Sequence, residues 1–186
     1  MSQKKRQAEE YAARARLPFV LSEISRYAGY YMDQFLSRLE TPNDRSPLLL
    51  LRVPIGGIDS LQACIRVAGK VQAKKLADLL AFLQFFESNI KSYSSCRTMT
   101  VYEIVINATI LHILSFELLD YGRRTEEGFL TWPDSEKIGY YLLKLGLTKE
   151  RHPKLHILLD PVQGSGASMG TSDEDDLVNF QVGWKS

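Results

Sequence analysis

Few side chains in this sequence can do acid–base, nucleophilic or metal chemistry. They are three histidines, His112, His152 and His156, and two cysteines, Cys64 and Cys96. His112 lies inside an apolar run, within reach of Ser115. A catalytic base needs an orienting partner and a nucleophile close by. The neighbours four positions away are Ala108 and Phe116, and Glu103 and Glu117 are not at contact spacing from it. The expectation is a core histidine bonded to a backbone or hydroxyl group. His152 and His156 stand four apart, a spacing that lets one helix face present both rings to a metal. Two ligands do not close a site, and Pro153 disturbs the register between them, so ordinary surface histidines are expected. Neither cysteine has a CxxC partner. Cys96 precedes Arg97, a cation able to depress a thiol pKa. The phosphatase loop would require arginine at position 102, where Tyr102 stands. No catalytic, metal or cofactor-binding residue is assigned, and no cofactor is expected.

Binding chemistry has better candidates at the two ends. Residues 1–16 carry Lys4, Lys5, Arg6, Arg14 and Arg16 against Glu9 and Glu10, a local charge of +3. Such a segment suits an anionic lipid surface or a phosphate, each basic group adding about 1 kcal/mol near a charged membrane. A solvated helix is the simpler account. At the other end, Gln163 to Ser172 is rich in Gly, Ser and Ala, the composition of a flexible linker. The acidic run Asp173-Glu174-Asp175-Asp176 follows, and then Val178, Phe180, Val182 and Trp184 alternate with smaller or polar residues. That period is a strand's. A β-prone segment on a linker can dock on a partner's sheet edge. Gly56-Gly57 opens a helix but belongs to no GxxxxGK[ST] loop, so it reads as a turn rather than a phosphate cradle.

The elements between these ends read as helices. Lys4 to Arg16 is a polar helix that Pro18 is expected to interrupt, with Pro18 in the first turn of the next one. From Leu17 to Leu39 apolar residues recur at three- and four-residue steps, through Val20, Leu21, Ile24, Tyr27, Ala28, Tyr31 and Phe35. Tyr27, Tyr30 and Tyr31 are expected to pack in the core. Thr41 to Pro54 is a loop, whose Leu48 to Leu51 patch, boxed by Pro47 and Pro54, is expected to lie extended over the core. A second stripe over Ile58, Leu61, Ile65 and Ala68 slips in phase past Gly69, which suggests two helices or one kinked helix, with the break near Gly69 to Gln72. Leu76, Leu79, Leu80, Leu83, Phe86 and Ile90 form the third stripe, and Tyr93 to Cys96 a connection. Thr98 or Thr100 can cap the apolar helix through Leu119, and Thr100 has Glu103 three residues on, the capping-box spacing. Gly122 is expected to cap that helix, with Arg123 and Arg124 at its negative end. Thr131-Trp132-Pro133-Asp134 starts another helix, which Gly146-Leu147 should end. A final short helix near Pro153 is expected to pack Leu155, Ile157 and Leu158.

Composition narrows the class. The 186 residues carry 23 basic and 22 acidic side chains, a balance that speaks against a nucleic-acid-coating domain. Apolar content of 45% excludes a wholly disordered chain. Two cysteines exclude a disulfide scaffold and suit a reducing compartment. Val101 to Leu119 falls short of the about 20 apolar residues of a bilayer span. It also holds Glu103, Asn107, His112 and Glu117, so a protein core is expected to enclose it.

Arg14-Ala15-Arg16-Leu17-Pro18, running into Leu21-Ser22-Glu23-Ile24-Ser25-Arg26-Tyr27-Ala28, resembles a segment of uncharacterised bacterial proteins in which it follows membrane-spanning helices. Lys144-Leu145-Gly146-Leu147 with His152-Pro153-Lys154-Leu155-His156 resembles a C-terminal stretch of the same group. The group brings no activity and no site residues. The resemblance implies the cytosolic part of a membrane-associated protein.

The expected fold is all-α, a single domain of five or six helices around the central apolar helix. Residues 1–16 form its basic lead, 17–162 the helical domain and 163–186 a flexible, acidic, β-prone tail. The expected function is a non-catalytic protein-interaction or regulatory module in the cytoplasm, binding a protein partner or itself. Its contact residues would be Lys4, Lys5, Arg6, Arg14 and Arg16 at one end and Val178, Phe180, Val182 and Trp184 at the other. The alternatives are an enzyme assembled from His112, Glu117 and Cys96, or a module that touches anionic membrane or phosphate through residues 1–16.

Overall fold

A computed structural model describes residues 3–41, 47–96, 100–123 and 132–159. Among the described residues there are six helices and no strand. They are α1 (Gln3–Glu40), α2 (Ile55–Val67), α3 (Lys70–Cys96), α4 (Val101–Arg123), α5 (Ser135–Lys144) and α6 (Pro153–Leu159). The fold is all-α. Its centre is α4, which packs against α1, α3, α5 and α6.

α4 is long and apolar enough to cross a membrane by length and composition alone, but 61% of its apolar window is buried inside the protein. Ile104, Val105, Leu111, Ile113 and Leu114 are each fully enclosed. Its start is the capping box read from Thr100. The Thr100 N–H donates to Glu103 Oε2 at 2.6 Å, and the Glu103 N–H donates back to Thr100 Oγ1 at 3.3 Å.

α1 runs antiparallel along α4 and forms its largest interface. The direction is fixed by pairs that descend on one helix as they ascend on the other: Arg14 with Tyr121, Ser25 with His112, Met32 with Thr109. The expected interruption at Pro18 does not occur, because α1 is one helix of 38 residues with Pro18 inside it. An interior proline costs about 3 kcal/mol through its missing N–H and its ring. Leu17, Val20, Leu21 and Ile24 around it are all buried. At about 1.5–3 kcal/mol for each fully buried side chain, that packing outweighs the local break.

Gly122 also departs from expectation. It lies inside α4, not at a cap, and an added Cβ there would sit 3.1 Å from Cγ and Cδ of Pro18. At this point the proline ring of α1 lies directly against the backbone of α4. The chain does break at Ala68–Gly69, between α2 and α3. α3 then continues through Tyr93 to Cys96, where a connection was expected, and the Tyr93 ring meets Phe35 edge-on at 5.0 Å.

Asp134 caps α5, its carboxylate accepting from the Lys137 N–H at 2.8 Å. Gly146 ends it at φ 76, and the Leu147 N–H returns to the Leu142 carbonyl at 3.0 Å. In α6 Leu155 is buried and Leu158 partly so, but Ile157 is exposed, contrary to expectation.

Candidate functional site

Each side chain singled out for chemistry has a definite place. His112 Nδ1 shares a hydrogen bond with Ser25 Oγ at 2.9 Å. The expected hydroxyl partner is therefore found, but it comes from α1. Ser115 is buried and donates to the Leu111 carbonyl at 2.7 Å. The His112 ring stacks on Phe116 and meets Tyr141 edge-on, at 6.5 and 6.3 Å between centroids. Ser25 and His112 both sit in helix interiors, where backbone N–H groups are taken by the helical ladder. No oxyanion-binding pair faces the serine among the described residues. No carboxylate orients the ring there either. Glu117 is engaged elsewhere, in an ion pair with Lys137 of α5.

Cys64 is buried, and its thiol donates to the Ala13 carbonyl at 3.2 Å. Burial pushes the thiol up to about 11, with the Arg14 guanidinium pulling weakly the other way. A thiol so placed is a poor nucleophile. The side chain of Cys96 lies outside the described residues. The folded pKa of Cys64 stands above its unfolded value of about 8.5. Stability linked to Cys64 is present below that unfolded value and is lost as pH rises through about 11. With Cys96→Ser removing the other thiol, iodoacetamide at pH 8 should alkylate the native chain at least about 100-fold more slowly than the urea-unfolded one. Equal rates would contradict the burial.

The histidine pair does not share a helix face. His152 precedes α6, is buried rather than on the surface, and accepts the Leu155 N–H at its carbonyl. His156 Nε2 donates to the Leu147 carbonyl at 2.9 Å. Among the described residues no group of three or more His, Cys, Asp or Glu could hold a metal ion.

Of the basic N-terminal residues, Lys4, Lys5 and Arg6 lie in α1, with side chains outside the described ones. Arg14 serves the fold. It donates to the Tyr121 carbonyl at 2.7 Å and lies over the Tyr121 ring at 4.3 Å. That carbonyl lies in the last described turn of α4, where a cation complements the negative end of the helix dipole. Arg16 is exposed at an open groove between α1 and α2, lined also by Ala12, Ala13, Asp59, Ser60 and Ala63. Val178, Phe180, Val182 and Trp184 lie outside the described residues.

The feature that sequence reasoning missed is on residues 48–52. Val53 is buried and Leu48 half-buried, but Leu49, Leu50 and Leu51 are 66%, 49% and 40% exposed instead of lying over the core. What holds them is α1. Gln34 acts as a substitute backbone: its Nε2 donates to the Leu49 carbonyl at 3.1 Å, and its Oε1 accepts from the Leu49 N–H at 3.2 Å. Tyr30 adds a second donor to the Leu49 carbonyl. Two residues on, the Tyr31 hydroxyl accepts the Leu51 N–H at 2.9 Å and donates to the Leu51 carbonyl at 3.3 Å. Leu49 and Leu51 thus turn the same edge toward α1, with the two-residue period of extended chain. The N–H and C=O of Leu50, which alternate to the other edge, form no hydrogen bond among the described residues. The segment is a single stretch of chain with one edge paired with α1 side chains and the other open.

No protein-family model, curated protein or solved structure matches the chain.

Proposed function

We propose that the protein is a non-catalytic interaction module that takes up an extended peptide of a protein partner along residues 48–52. The observation that carries this reading is the open edge at Leu50, held in place by Gln34 and Tyr31. Strand addition draws affinity from main-chain hydrogen bonds and specificity from alternate side chains. Here the main-chain groups come from Leu48, Leu50 and Arg52, and the exposed leucines offer apolar contact. An open strand edge is also an aggregation hazard, which proteins limit with prolines and charges. Pro47 and Pro54 bound this edge and Arg52 charges it, so its length suits one short peptide and little more.

Twelve-residue peptides selected from a display library against the full chain should show alternating apolar residues. Their affinity should fall at least tenfold on Gln34→Ala/Tyr31→Phe, which frees the segment and leaves the ring at position 31 in place. Selected peptides that bind this variant undiminished would refute the reading.

A further inference from the structure

We infer that the open edge of residues 48–52 takes a second copy of this chain, the two edges pairing antiparallel about a two-fold axis at Leu50. This rests on the interaction reading, since a partner's peptide would compete with the second copy for the same groups. Those groups belong to Leu48, Leu50 and Arg52, and none of them forms a hydrogen bond among the described residues. The edge is closed at both ends. Pro47, which lacks an N–H, precedes Leu48, and Val53, which is buried, follows Arg52. Leu50 is the centre of what remains. A ladder with Leu50 facing the second copy's Leu50 therefore uses every outward group of both edges, up to about six main-chain hydrogen bonds. A shift of two residues would leave the outermost groups unmatched. α1 holds the other edge of each segment, so the two α1 helices fall on the outer sides of the pair.

The side chains select the same partner. Leu49 would stand opposite the second copy's Leu51, and Leu51 opposite its Leu49, at a Cα spacing of about 4.5 Å. On the other face Leu50 would meet its own counterpart. These leucines are 66%, 49% and 40% exposed at positions 49, 50 and 51, so each exchanges water for an apolar neighbour. Charge sets the direction. Arg52 is exposed and is the one charged residue of the segment. Antiparallel pairing holds the two Arg52 residues about 14 Å apart, four steps of extended chain. Parallel pairing in register would set them side by side, where like charges repel. Five residues a side bury less than the about 1,200 Å² of a stable complex, so the pair is reversible and yields to a better-fitting peptide.

Sedimentation equilibrium of the full chain tests this. The mean mass should rise from one chain toward two between about 10 μM and 1 mM, the range of weak complexes. Leu50→Pro should stay at one chain throughout. It removes only an N–H that is unbonded in the single chain, and an edge tolerates proline. Direction is tested with Leu48→Cys and Arg52→Cys chains, each also carrying Cys96→Ser. Mixed and mildly oxidised, they should join to each other at least tenfold more than to themselves. Opposed positions stand about 5.5 Å apart, within disulfide reach, and like positions about 14 Å. Cross-links of like with like would mean a parallel pair and overturn the two-fold arrangement. A mass that stays at one chain, while selected peptides still depend on Gln34 and Tyr31, would overturn self-pairing and leave the interaction reading standing. A dimer that survives Leu50→Pro, or that binds a selected peptide without dissociating, would place the second copy on another face and overturn the inference.

Discussion

Phe86→Ala should lower the unfolding free energy by about 3–5 kcal/mol, the upper part of the range for core truncations. The reason lies in how α3 meets α1. Among the described residues no Cα of α3 comes within 8 Å of a Cα of α1, so the gap between them is filled by side chains. Phe86 is fully buried there, edge-on to Tyr27 at 6.0 Å and to Tyr31 at 5.8 Å. Tyr27 and Tyr31 meet each other edge-on at 5.0 Å. Such ring pairs contribute about 0.5–1.5 kcal/mol each beyond the area they bury. The cavity left by alanine cannot close by sliding the helices together. α1 is clamped along α4, and Tyr31 is anchored through its hydroxyl to Leu51. Phe86→Leu keeps most of the volume and should cost less than half as much. Urea denaturation of the three proteins measures both values, and a loss below about 1 kcal/mol for alanine would mean that the site collapses after all. The same substitution reaches the surface. With the ring of Tyr31 loosened, Leu51 loses its fixed hydroxyl partner, so the core directly supports the open edge.

What could be read in the sequence was whatever short-range spacing encodes. Thr100 with Glu103, Asp134 ahead of Ser135, and Gly146 followed by Leu147 each announce a helix end through groups at most a few residues apart. The phase slip at Gly69 is equally local. The stripe from Leu17 to Phe35 marked the face of α1 that is buried. Failures came where a distant element decides. Pro18 looks like a helix start until four buried neighbours are packed around it. Gly122 looks like a cap until its backbone is pressed on Pro18. Ser25 and His112 lie 87 positions apart, and nothing in either neighbourhood names the other. The open edge was hidden for a further reason. Gln34 sits among apolar residues of α1, and its use as a surrogate strand depends on a loop returning alongside that helix. The three leucines between prolines were visible, but a leucine run gives no sign of facing outward.

The contact of Gly122 with Pro18, between α4 and α1, makes the second large effect. Gly122→Val should destabilise the protein by about 2–3 kcal/mol, against the gain of a few tenths to 1 kcal/mol that replacing a helical glycine usually brings. The first added carbon would already stand 3.1 Å from two ring carbons of Pro18 and 3.3 Å from its nitrogen. A flexible side chain could move aside, but these atoms belong to a ring fused to the backbone of α1. Relief must come from separating the helices, and that opens the contacts of Leu17, Leu21 and Ile24 on either side. Pro18→Ala removes Cγ and Cδ and restores an N–H for the Arg14 carbonyl. Alone it should be mildly stabilising. The regained helix bond and propensity are worth about 3 kcal/mol, and the two lost methylenes about 1.6 kcal/mol. In the Pro18→Ala background the penalty of Gly122→Val should fall by at least half, a coupling above about 1 kcal/mol. Denaturation of the four proteins of this cycle measures the coupling. Additive effects would show that Gly122 is small for some reason other than Pro18, and that the continuity of α1 through its proline owes nothing to this contact.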